Sequence, residues 1–92
     1  MTGTLTARLI RTLDELVALL DEEQDTHWAA WMRKASRELK ASDYHGVERL
    51  LAAYGGMGSF NDFVPRRAEH KSRISELSSE AHDLATEIRR RQ

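Results

Sequence analysis

Apolar residues in the first quarter of the chain fall at Leu5, Leu9, Ile10, Leu13, Leu16, Val17 and Leu20. Steps of three and four lay them as a broad stripe along one side of a helix. The stripe predicts one helix over residues 6–24, capped by Thr4 or Thr6. Thr12 with Glu15 offers a second start, because that pair fits a capping box. Asp25 or Thr26 then opens a second helix over 27–41, with Trp28, Trp31, Met32, Ala35 and Leu39 on one face. The two tryptophans are the largest apolar side chains available and are expected to anchor the core. Ser42 or Asp43 opens a third, short helix to about Tyr54, which turns Val47, Leu50, Leu51 and Tyr54 inward. Gly46 in its first turn weakens it slightly.

Val64-Pro65 ends this half of the chain, since a residue before proline avoids helical geometry. From Arg66 onward there is no Gly or Pro. Ile74, Leu77, Ala81, Leu84 and Ile88 alternate in steps of three and four, a narrow heptad seam rather than a wide stripe. A helix of about 25 residues spans about 38 Å. A round domain of this size is only about 30 Å across. The last helix is therefore expected to outrun its own domain: either its end frays, or it projects and pairs with a second copy through those five residues, making a homodimer, which is the leading expectation. The fold class is all-α: a small helical bundle of three helices, a glycine-rich corner and a long C-terminal helix.

Ninety-two residues fill one core and no more, so residues 1–92 form a single domain. The chain has no cysteine, which excludes disulfides, thiolate zinc sites and cysteine catalysis and suits a reducing cytoplasm. No basic stretch followed by an apolar run opens the sequence, so no signal peptide is read there. The longest apolar run is far short of a membrane span. Fourteen basic residues against fifteen acidic ones leave a net charge of −1, which argues against nucleic-acid binding. The charges are unevenly placed: residues 11–25 hold six acids and residues 33–40 hold four bases. Such runs are read as solvated helix faces.

Three of the five glycines fall in Gly55-Gly56-Met57-Gly58-Ser59. That density demands unusual backbone conformations or a close approach. One reading is a joint: Gly55 ends a helix, Ser59 caps one brief turn, and Met57 and Phe60 tuck beneath. Asn61 and Asp62 would then bond to local backbone. The other reading is a ligand or anion site made of Gly56, Gly58, Ser59, Asn61 and Asp62, in which successive amides form a nest. The segment has neither the lysine nor the preceding strand of a P-loop. Ser59 lacks the Gly-x-Ser-x-Gly elbow of a hydrolase nucleophile. None of His27, His45, His70 and His82 pairs with another histidine at helical spacing. Only a tertiary set such as His27, His45 and Asp62 could hold a metal. No catalytic residue, metal or cofactor is assigned.

The runs His27-Trp28-Ala29-Ala30-Trp31 and Leu50 to Phe63 resemble a small bacterial domain family of unknown function with a Gly-Gly-Met-Gly-Ser-x-Asn-Asp signature. The resemblance covers residues 12–64. It implies a family-like core over 1–64, with 65–92 as an added oligomerisation helix. The residues together point to a non-enzymatic, cytoplasmic protein-interaction module that self-associates. The alternatives are small-ligand or anion binding at Gly55–Ser59, or a regulatory or immunity-type partner of another bacterial protein.

Overall fold

The computed structural model describes residues 2–55 and 58–92. Four helices run in chain order: α1 (Thr2–Glu22), α2 (Thr26–Lys40), α3 (His45–Ala52) and α4 (Ala68–Arg90), with one 3-10 turn (Phe60–Asp62) between α3 and α4. Each helix packs on the next, and α4 returns to α1, so the four close a ring around one core. Leu9, Leu13, Leu16 and Leu20 of α1 meet Met32, Ala35, Val47, Leu50, Leu77, Ala81 and Ala85 in that core. The fold is therefore all-α, with four helices rather than three and a projection.

Helix α1 starts earlier than its stripe requires. Thr12 explains why the second possible start is unused: its hydroxyl donates to the Arg8 carbonyl at 2.9 Å, inside the helix. A threonine bonded to the preceding turn lets the helix pass through instead of capping a new one. At the first corner Gln24 adopts a left-handed φ of 61°. Asp25 then caps α2, its carboxylate accepting the Trp28 N–H at 2.9 Å. At the second corner Ser42 takes φ 59°, and Asp43 accepts the His45 N–H at 2.9 Å.

Gly46 proves to be a packing residue. A Cβ there would lie 2.8 Å from the Ala35 carbonyl oxygen and 2.8 Å from Leu39 Cγ. The backbones of α2 and α3 therefore approach too closely for any side chain, and the small loss of helix propensity is the lesser effect.

The seam on α4 is the main correction. Ile74, Leu77, Ala81, Leu84 and Ile88 are at most 6% exposed, all within the core of this chain. They face inward and cannot serve as a surface for a second copy. The estimate that suggested a projection assumed a round domain. The molecule instead measures 37 × 24 × 20 Å, and its long axis accommodates a helix of 23 residues, about 35 Å in length. Residues 65–92 are thus an integral wall of the bundle. Among the described residues, no helix is long and apolar enough to cross a membrane.

Candidate functional site

The segment after α3 is held by aromatic side chains. The Trp31 indole N–H donates to the Arg49 carbonyl at 2.9 Å, one of the carbonyls that α3 leaves without a helical partner. The Ala53 carbonyl accepts the Phe60 N–H at 2.7 Å and draws the loop back on itself. Phe60 is buried, with its ring 5.2 Å from Trp28, 6.1 Å from Tyr54 and 5.7 Å from Phe63, on which it stacks. The Tyr54 hydroxyl donates to the Ser78 carbonyl of α4 at 2.8 Å. Burial pushes the Tyr54 phenol above its usual range, the Ser78 bond pulls it back, and Asp83 pushes it up again. One aromatic group therefore ties α2, the loop and α4 together.

The structure brings together four of the five predicted loop residues: Gly58, Ser59, Asn61 and Asp62. The fifth, Gly56, lies outside the described residues, as does Met57. Gly55 and Gly58 adopt φ of 94° and 76°, a region that L side chains avoid. The Gly58 N–H donates to the Asp62 carboxylate at 2.8 Å, and Ser59 caps the 3-10 turn by accepting the Asn61 N–H at 3.3 Å. The acceptor that an anion would provide to Gly58 is thus supplied by the chain itself. That gives Gly58 and Asp62 a structural reason and removes one amide from the expected nest.

Between this loop and α4 lies a half-open cleft. Phe60, Asn61, Phe63, Val64 and Pro65 form one wall and Lys71, Ile74, Ser75, Ser78 and Ser79 the other, enclosing about 350 Å³. A second hollow of about 330 Å³ adjoins it across Asn61, Ser78 and Ser79 and reaches Tyr54, His82 and Asp83. Val64 stands 75% exposed at the rim, the single large apolar side chain so exposed among the described residues. A roomier groove of about 470 Å³ opens at the other end, between the first turns of α1, the α2–α3 corner and Ile88. Its one carboxylate, Asp43, is engaged by His45, whose backbone N–H is the main cause holding that carboxyl below its usual value.

Residues 63–67, the strap that leads from the cleft wall into α4, are fixed from behind by a pair that sequence reasoning missed. Glu23, just past α1, has a buried side chain 43 residues from its first partner. It accepts the Arg66 N–H at 2.5 Å, the Arg67 N–H at 3.2 Å and a bond from His70 Nδ1 at 2.6 Å. His70 is itself buried, and its Nε2 lies 3.4 Å from Glu22. Burial alone would raise the Glu23 carboxyl, but the His70 bond and the two backbone N–H groups outweigh it and hold the group below its ordinary value. The carboxylate also sits at the start of α4, where the helix dipole favours negative charge. One signal for the pair was available. His70 continues the seam of Ile74, Leu77 and Ala81, so it had to be buried and to need a partner.

Among the described residues, no three acidic or histidine side chains stand together as metal ligands. His27, His45 and Asp62 therefore do not assemble into the tertiary set considered above. His27 instead packs edge-on against Trp28 at 4.6 Å.

Comparison with known families matches residues 21–73 to the domain of unknown function DUF6966. The match spans more than half of the chain, which therefore belongs to this family. It begins at the end of α1 and continues beyond Pro65 into α4, so it includes Glu23 and His70 as well as the loop. The match runs past residue 64, where the resemblance stopped. No curated protein and no solved structure matches the chain.

Proposed function

We propose that this member of the DUF6966 family is a non-enzymatic, cytoplasmic binding module that holds a segment of a partner protein in the cleft between residues 60–65 and α4. The observation carrying this reading is the cleft itself, with an apolar floor, a rim of uncommitted polar groups and Val64 left open to solvent. A concave groove with an apolar floor and a few polar groups on its walls is the usual form of a binding site, and Val64 lies where an occupant would cover it. A partner other than a second copy is favoured because the α4 seam that motivated self-association is occupied within the chain. The Ser59 hydroxyl caps a turn by accepting the Asn61 N–H, which gives it a structural role in the loop.

A photo-crosslinking amino acid placed at Val64, with Ala18 on the exposed side of α1 as control, tests the reading in the native cells. The expected result is one protein joined from position 64, absent from position 18, and lost when Ser79→Arg fills the cleft from its exposed wall. No adduct from position 64, or the same adducts from both positions, overturns it. An adduct between two copies restores the homodimer through a different surface.

A further inference from the structure

The chemistry of the occupant can be read from the two walls of the cleft, on the premise that the cleft is a binding surface. Residues 63–67 form a strap outside any helix: Phe63 is extended (φ −68°, ψ 129°), as is Arg67 (φ −97°, ψ 122°), and the chain bends at Arg66 and Arg67 to enter α4. The Arg66 and Arg67 N–H groups are held by Glu23 from behind. The Val64 N–H and the carbonyls of Phe63, Val64, Pro65 and Arg66 have no hydrogen-bond partner among the described residues. Free backbone carbonyls on an exposed non-helical segment, with the one free N–H of Val64, can bond an extended chain laid beside them, whereas a helix has no free backbone groups along its middle to offer them.

The charge on the walls is one-sided. The lining holds one cation, Lys71, and no carboxylate. Lys71 takes part in no ion pair among the described residues, although Arg67 and Arg73 on either side of it do. Around the lysine, Asn61, Ser75 and Ser79 offer neutral polar contacts, and Phe63 with Ile74 provides an apolar floor. The enclosed volume of about 350 Å³ lies at the small end of ligand sites, roughly 300–1,000 Å³, which suits a few residues rather than a folded surface.

We infer that the cleft takes a short extended peptide segment of another protein, which lays an apolar side chain on Phe63 and Ile74 and presents a carboxylate to Lys71. Main-chain bonds along the strap give the contact its direction, and the lysine selects the acidic residue.

The test uses the full chain, isotopically labelled, and two capped pentapeptides of sequence Val-Leu-X-Val-Ala in which X is Asp or Lys. At low salt the Asp peptide is expected to shift the amide signals of Asn61, Phe63, Val64, Lys71 and Ser75. Its preference over the Lys peptide should be up to about five-fold, as one exposed ion pair permits. Lys71→Glu, an exposed change that leaves the core intact, is expected to invert the preference. Equal response to both peptides, preference for the Lys peptide, no response at the strap, or a preference that survives Lys71→Glu overturns the inference. The crosslinking result at Val64 stands apart from these outcomes, since a partner segment without an acidic residue would satisfy it and fail here.

Discussion

Two joints frame the cleft, and they are built in opposite ways. The glycine loop is made of neighbours: Gly58 bonds to Asp62 four residues away, and Ser59 to Asn61 two residues away. The junction behind the strap is made of strangers: Glu23 reaches His70 across 47 residues and holds the entry to α4. The loop polar groups lie in solvent, where each bond contributes little net stability. The Glu23 carboxylate is buried, where loss of its partners leaves desolvated groups unsatisfied. A conspicuous motif is thus the weaker joint in polar terms, and two unremarkable residues form the stronger one.

The largest effect is expected at the strong joint. Glu23→Ala strands His70 and two backbone N–H groups, and should lower the thermal midpoint more than any other single polar change. Exchange of the Arg66 and Arg67 amides should become fast in the same variant. The junction also predicts a pH dependence. A carboxyl held below its ordinary value of 4.5 binds fewer protons in the folded chain than in the unfolded one. Its contribution is therefore complete above about pH 4.5 and is lost as pH falls through the folded value. Denaturant titrations from about pH 7 to pH 3 should show this loss, and Glu23→Gln should give a lower, flatter curve. A residual slope is expected from Glu15, Glu38, Asp43 and Glu87, which are also held low, through Arg73, Arg49, His45 and Arg91 respectively.

Next comes the apolar anchor of the weaker joint. Phe60→Ala is expected to cost about 3–5 kcal/mol in equilibrium unfolding, since it empties the space between Trp28, Tyr54 and Phe63. Asp62→Ala should cost about 1 kcal/mol or less, because its single bond to Gly58 is exposed. An Asp62 variant as damaging as the Glu23 variant would break the comparison. A Phe60 variant as mild as Asp62→Ala would show that the glycines, rather than the aromatic group, hold the loop.

The helices were readable because their periods are local, and so were the caps at Asp25 and Ser59, each within three residues of the N–H it accepts. The role of the α4 seam was misread because a heptad pattern records that a face is covered and not by what. Here α1 covers it, about sixty residues earlier in the chain. Gly46 looked like a weak point because its reason, the Ala35 carbonyl, lies on another helix. Glu23 extends the stripe of Leu16 and Leu20, yet a charged residue at a helix end looks solvated until its partner is placed. That Asp62 would bond local backbone was readable, and its partner is the Gly58 N–H four residues earlier. Nothing in the sequence joined Lys71 to Val64, because the cleft they share exists only after the chain folds.

The closed ring of helices has a consequence for inheritance. Five of the eight largest fully buried side chains, Leu9, Leu13, Leu16, Leu20 and Leu77, lie outside residues 21–73. The stretch by which relatives are recognised is therefore not the unit that folds. A chain that acquires this stretch must also bring two long amphipathic helices, one on each side, or the motif arrives without a body to hold it. What those helices must supply is the apolar face that closes the core on either side of the recognised stretch.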